Sequence, residues 1–305
     1  MTEVRRQKHA LSEVEGTENR IKRIGVIGGS GLYEMADLKN LKSVKIKTPF
    51  GEPSDEYILG TLNNREMAFL PRHGKGHRIQ PTELNFRANI YGMKKLGVEW
   101  IISVSAVGSM KEEIAPGNIV VPDQFIDMTK RRVSTFFGNG IVGHVAFADP
   151  VCDALHNILY QAGLDASATM HKGGVYICIE GPQFSTRAES LTYRKWGVDV
   201  IGMTNVTEAK LAREAEICYA TIALATDYDC WHEAEEDVTV EAILEILHKN
   251  VTTAQKIIKN AVSKIGLERK CPCKNALQNA ILTAKNKIPK KTKKDLELII
   301  GKYLK

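Results

Sequence analysis

Short apolar runs recur along the chain at residues 24–27, 67–70, 100–104, 119–121, 175–179, 198–202 and 221–225, and several are apolar at every position instead of alternating. A strand apolar on both faces is one covered on both faces, so these runs predict a buried sheet between layers of helix. Between them, residues 82–96, 149–162, 187–196 and 207–216 carry helical spacing, with Pro81 or Thr82 and the Asp149-Pro150 pair as start signals. A longer amphipathic segment, 239–265, sets Val240, Ile243, Leu244, Leu247, Val251, Ala254 and Ile258 on one helical face and predicts a helix lying across the sheet. Beyond Gly266 the pattern breaks at 270–274, resumes as a short helix near 276–285, turns at Ile288-Pro289 and ends in a helix from Lys293. The fold class is α/β. The expected organisation is a loosely ordered arm over 1–21, a main domain over 22–265 and a basic helical extension over 266–305.

A chain of 305 residues can bury roughly three quarters of its unfolded surface, enough for one large domain. No run of about 18 apolar residues is present, and residues 1–23 are charged throughout; the expectation is a soluble, cytoplasmic protein with no membrane partner. The net charge of +6 is concentrated after residue 266, where eleven Lys/Arg face three Asp/Glu, leaving the main body nearly neutral. That tail has no interleaved aromatics apart from Tyr303, so it reads as a solvated face more readily than as a nucleic-acid contact. The six cysteines show no metal signature by spacing, because Cys271-Pro272-Cys273 separates its thiols by one residue and no second pair follows. Cys152, Cys178, Cys218 and Cys230 read as buried free thiols, with a redox pair or cross-link at Cys271/Cys273 as the alternative.

Chemistry concentrates where the apolar runs end. The first closes in Gly28-Gly29-Ser30-Gly31, a turn whose amides can converge on an anion; it lacks both the dinucleotide spacing and the P-loop lysine. The next closes in Arg72-His73, a planar fork for an oxyanion beside a further donor, and the third in Ser103-Val104-Ser105-Ala106-Val107-Gly108-Ser109. Three strand ends bearing oxyanion-type groups make a phosphate pocket the better reading. Phe184, at a bend, suits stacking on a flat heterocycle, and Met203 beside Thr204 suits an apolar sugar face. The last apolar run ends in Asp227-Tyr228-Asp229, two carboxylates one residue apart where an open sheet places its ligand crevice.

Taken in order, Ile27-Gly28-Gly29-Ser30-Gly31-Leu32, Thr48-Pro49-Phe50-Gly51-Glu52-Pro53-Ser54-Asp55, Arg72-His73-Gly74, Gln124-Phe125-Ile126-Asp127, Glu180-Gly181-Pro182, Arg187-Ala188-Glu189-Ser190, Gly202-Met203-Thr204 and Thr226-Asp227-Tyr228-Asp229-Cys230-Trp231 resemble the purine nucleoside phosphorylase superfamily, most closely its S-methyl-5′-thioadenosine phosphorylase branch. The resemblance covers residues 23–265 and implies a single-domain mixed central sheet flanked by helices. It implies that Ser30, Arg72, His73, Ser105, the Ala106 backbone and Thr204 hold phosphate, that Met203 packs on the ribose and Phe184 on the purine, and that Asp227, Tyr228 and Asp229 meet the base. Ser185 and Val240 fall on specificity positions, and Ser185 with two aspartates resembles the readers of 6-aminopurines. The physical reason is that a carboxylate accepts from N6–H₂ but faces a 6-oxo group with like-signed lone pairs.

The implied reaction is reversible phosphorolysis through a ribosyl cation, with Asp227 delivering a proton at N7 and Asp229 reading N6. Inorganic phosphate is a co-substrate, and no metal or organic cofactor is expected. His144 matches a residue that lines a neighbouring subunit's 5′ slot in the family, which implies a homotrimer or hexamer. Departures are Thr207 where Pro is common, Ser30 and Ser105 where Thr is common, and Asn205, expected at the pocket rim. The rivals are a 6-oxopurine or methylthioinosine phosphorylase, a nucleoside hydrolase, and a nucleic-acid-binding protein acting through its tail. For the last, a chain cut at Gly266 is expected to keep catalysis and lose the affinity.

Overall fold

The computed structural model describes residues 21–232 and 240–304, apart from the side chains of Ser30, 240–245 and 247–249. The strands are β1 (Arg23–Gly28), β2 (Lys39–Val44), β3 (Tyr57–Leu62), β4 (Arg65–Pro71), β5 (Val98–Ser109), β6 (Ile119–Val121), β7 (Gln124–Asp127), β8 (Met170–Lys172), β9 (Val175–Cys178), β10 (Val200–Gly202) and β11 (Cys218–Asp227). The helices are α1 (Phe86–Lys95), α2 (Asp153–Asp165), α3 (Arg187–Lys195), α4 (Asn205–Glu214), α5 (Val240–Lys264), α6 (Lys290–Asp295) and α7 (Glu297–Leu304). All strands join one mixed sheet, with buried apolar clusters on its faces. Every predicted apolar run lies in or beside a strand, but β2, β3, β7 and β8 escaped the hydrophobic pattern. β2 is almost wholly exposed and lysine-bearing, as an edge strand protected from further pairing should be.

The decisive feature is the long strand β5. One side pairs in parallel with β11 from Trp100 to Gly108. The other side pairs with β1 as far as Ser103, and with β10, running antiparallel, at Gly108 and Ser109. Among the described residues, 104–107 therefore have no strand partner on that second side. Parallel β4 and β1 end level with this break, since Pro71 sits opposite Gly28. β10 ends by running into it from the opposite direction.

Local signals set the helix starts. Asn85 caps α1 by accepting from Ala88 N at 3.1 Å, and Thr186 with Glu189 forms a capping box at α3. The helix expected near 276–285 is absent. That stretch is a series of turns, with Ile281 bridged to Gly143 and Leu282 N donating to Val142 O at 2.9 Å; pairing with a distant loop outweighs local propensity. The extension is not peripheral either. Leu277, Ala280, Ile288, Leu296, Ile299 and Ile300 are buried in the same cluster as Phe86, Ile90 and Tyr91 of α1. No described helix is long and apolar enough to cross a membrane.

Candidate active site

The break in β5 pairing gathers the residues picked out at the strand ends. Ser103 and Ser105 point to one face of the strand. Arg72, just past β4, donates from Nη2 to Ser103 Oγ at 2.6 Å and from Nη1 to Val104 O at 2.8 Å. Ser105 Oγ is enclosed and has no hydrogen-bond partner among the described residues, so it is a polar atom that calls for one. Met203 and Thr204 follow β10 as the bend that leads into α4, with Thr204 as its N-cap residue. Thr204 Oγ1 donates to Asn205 Oδ1 at 3.0 Å, and Asn205 Nδ2 donates to Ser103 Oγ at 3.1 Å, closing a chain back to Arg72. The side chains of Ser30 and Val240 lie outside the described residues. The Ser30 backbone opens a 3-10 turn after Gly29, beside an open cleft of about 470 Å³ whose lining includes Gly28, Gly29, Gly31, His73 and His77.

Two details revise the sequence reading. Arg72 does not offer a free fork. Nε donates to Glu208 Oε1 at 2.5 Å and Nη2 to Glu208 Oε2 at 3.2 Å, and both side chains are almost wholly buried. Glu208 also accepts from Ser103 Oγ at 2.9 Å and Tyr219 OH at 2.9 Å. Among the described residues one Nη1 hydrogen is left for an anion. Nor is His73 simply a second donor. Its Nδ1 lies 2.8 Å from Ile79 O, so Nδ1 carries the proton and Nε2 is an acceptor, fit to receive a hydrogen bond from a protonated phosphate oxygen.

The acids lie further along the same strand pair. Asp227 sits opposite Gly108, three residues beyond Ser105, or roughly 10 Å at the rise of an extended strand. Asp227 Oδ1 accepts from Asp229 N at 2.8 Å and Oδ2 from Thr226 Oγ1 at 2.7 Å. Asp229 has a left-handed backbone, φ +51°, which costs a non-glycine residue energy and is typical of positions held for function. Burial, together with the neighbouring Asp227 charge, pushes the Asp229 carboxyl above its ordinary range, against the Ser190 hydroxyl. Asp229 thus holds its proton to higher pH than an ordinary carboxyl, beside the Asp227 to which the sequence reading gave the proton. A Cβ at Gly108 would meet Asp227 Oδ1 at 2.9 Å, so only glycine lets the pair lie this close to β5.

Beside the acids, Ser185 Oγ is enclosed without a partner among the described residues, and Tyr228 OH donates to Glu112 O at 3.2 Å. Phe184 is 54% exposed. His144 is exposed, its amide donating to Ala280 O at 2.8 Å. Residues 23–263 match the model of the phosphorylase superfamily. The chain belongs to this superfamily. It is 64% identical to the S-methyl-5′-thioadenosine phosphorylase of Geobacter sulfurreducens over 92% of this chain and 99% of that one. It is 59% identical to the protein of the same name from Koribacter versatilis, over 92% and 96%. Among solved structures, a methylthioadenosine phosphorylase from an antarctic soil metagenomic library superposes with a TM-score of 0.88 at 52% identity, covering 92% of this chain and 99% of that one. A mutant adenosine/methylthioadenosine phosphorylase of Schistosoma mansoni in complex with methylthioadenosine gives 0.77 at 38% identity, over 81% and 92%.

In this phosphorylase, the residues that sequence reasoning missed lie beneath the pocket. Asn205 was expected at the rim; it is fully buried and bonds Ser103, Thr204, Tyr176 and Thr221. Tyr176 OH reaches it across Gly202, where any Cβ would stand 1.9 Å from the hydroxyl. Arg132 is another. It donates to Met203 O and, at 2.8 Å, to Glu180 O, and lies over the Phe86 ring, so it props the Met203 turn from behind.

Proposed function

We infer that this chain catalyses the reversible phosphorolysis of S-methyl-5′-thioadenosine to adenine and 5-methylthioribose 1-phosphate, with inorganic phosphate as co-substrate. The observation that carries the reading is the unpaired stretch of β5, with an oxyanion-type cluster at one end and the Asp227/Asp229 couple at the other. A separation of roughly 10 Å is what a ribose with a purine attached would span. Phosphate would sit against Arg72, Ser105, Thr204, the Ala106 and Ser30 region and His73 Nε2, below C1′. As the C1′–N9 bond breaks, its electron pair passes to the purine. The couple supplies one proton at N7, its remaining carboxylate accepts from N6–H₂, and a phosphate oxygen forms the new bond to C1′. Ser185, Tyr228 and the exposed ring of Phe184 would border the base, Met203 the sugar. No step needs an organic cofactor or a metal at this site.

Finer points are part of the same proposal: cytoplasmic purine and methionine salvage, a homotrimer or hexamer in which His144 completes a neighbour's 5′ slot, and Val240 on that slot. A monomer by light scattering with full activity would remove the His144 role. The activity is tested by base release from methylthioadenosine and from inosine, with and without phosphate. Release from methylthioadenosine only when phosphate is present supports the reading, whereas faster release from inosine, or release indifferent to phosphate, overturns it. A nucleic-acid role for the tail has less support, because its apolar side is spent in the core.

Two predictions arise directly. Arg72→Ala should raise the phosphate KM, and it should also destabilise the protein by about 3–5 kcal/mol, since it leaves the Glu208 carboxylate buried without its cation. Thermal melts beside phosphate titrations separate the two effects. For His73, burial and then the Arg72 charge hold the imidazole down at about 4, below the value of about 6.5 of an unfolded histidine. The unfolded chain thus binds the extra proton first. This contribution is complete above about pH 6.5 and is lost as pH falls through about 4. The urea midpoint should drop between about pH 7 and pH 4, and His73→Asn, which keeps a donor toward Ile79 but does not titrate, should shrink the drop.

A further inference from the structure

Four thiols scattered in the sequence meet at the end of β11 opposite the acids. Cys152 precedes α2, Cys218 opens β11, and Cys271 and Cys273 flank Pro272 where the C-terminal extension begins. Their sulfur atoms all lie within 4.8 Å of one another, and the Cys218 and Cys271 sulfurs are 3.2 Å apart. Cys152, Cys218 and Cys273 are buried, Cys271 is half-buried, and all are free thiols. The one-residue spacer that argued against a metal is accommodated by conformation. Cys271 is extended at φ −80°, ψ 160°, and Pro272 starts a 3-10 turn, so both sulfurs reach the same point. Cys152 N donates to Tyr219 O at 2.9 Å, which fixes the start of α2 against the start of β11.

A zinc ion held tetrahedrally by four thiolates has Zn–S bonds of about 2.3 Å, hence sulfur–sulfur separations of roughly 3.8 Å. The 3.2 and 4.8 Å values lie either side of that. Disulfides, with S–S bonds of about 2.04 Å, join thiols two at a time and give no reason for four to converge on one point, whereas a central ion does. We propose that Cys152, Cys218, Cys271 and Cys273 form a structural tetrathiolate zinc site that clamps the C-terminal extension to α2 and β11. Each thiol releases its proton as its sulfur binds, and no electron is transferred. Arg269, Lys270 and Lys274 adjoin the turn in sequence and offset the negative charge of the bound thiolates. Protein sulfur fills all the coordination positions, and the site stands roughly 30 Å along β11 from Asp227, so it acts on stability and not on chemistry.

The test uses the full chain produced with zinc and purified under reductant without chelator. About one zinc per chain by elemental mass spectrometry, with an absorption edge fitting four sulfurs at about 2.3 Å, is expected. Stripping the metal should lower the melting temperature while leaving the KM for methylthioadenosine at room temperature unchanged, and Cys271→Ser should lose the zinc. Protein that folds and melts as before without zinc overturns the proposal, whether its four thiols titrate freely or its intact mass shows paired disulfides. Because the wild-type metal count decides by itself, a variant that fails to fold leaves the test intact.

Discussion

Asp227→Asn is expected to lower kcat for methylthioadenosine by about 10²–10⁴-fold, the usual worth of a positioned acid, with a much smaller change in KM. Two roles are removed together. Asp227 Oδ1 holds the Asp229 amide in its left-handed turn, and the Asp227 charge helps burial to raise the Asp229 carboxyl. With that charge gone, Asp229 ionises at lower pH, so the alkaline limb of the kcat profile should move toward acid. Asp229→Asn should cost kcat comparably and abolish that limb, because the group that titrates is gone. Pre-steady-state or steady-state kcat against pH, with phosphate saturating, reads both. If Asp227→Asn instead raised KM alone, the acids would be binding groups and the proton would come from elsewhere.

The distribution of what could be read from the chain follows from which face of an element each residue occupies. Arg72, Ser105, Thr204 and Asp227 stood out because each interrupts or ends an apolar run with a polar group, and strand ends in an open sheet converge on one crevice. Glu208 and Asn205 could not stand out. On a helix, a glutamate within Thr207-Glu208-Ala209-Lys210 looks like a solvated residue, yet Glu208 is 2% exposed, because α4 turns it toward the guanidinium. The only signal in the sequence was indirect: a buried arginine needs an anion, and the chain had to supply one. The fork in the sheet was likewise hidden. Hydrophobicity marks β5 as a buried strand, but which neighbour it loses at Ser103 and gains at Gly108 is decided by register. The four cysteines were legible singly and not as a group, since spacing reports local motifs and their convergence is tertiary.

A chain ending at Gly266 is expected not to fold, contrary to what composition suggested for a basic, lysine-rich tail. Cutting there strips Leu277, Ile288, Leu296, Ile299 and Ile300 from the cluster they share with α1, and each buried side chain of this kind contributes about 1.5–3 kcal/mol. Their sum reaches the whole net stability of about 5–15 kcal/mol that a domain of this kind possesses. The cut also reaches Glu216. Its carboxylate, 3% exposed, accepts from Leu277 N at 3.2 Å, Lys302 Nζ at 2.6 Å and the Tyr303 hydroxyl. Without them it loses the three donors, one of them a cation, that hold its carboxylate in the folded chain. The loop carrying His144 loses its bridge to Ile281 at the same time. Expression of the truncated chain should give insoluble protein or, if soluble, a circular dichroism spectrum without a cooperative melt. A truncated chain that melts within a few degrees of the full one and retains activity would show that the extension is the independent appendage its composition implies.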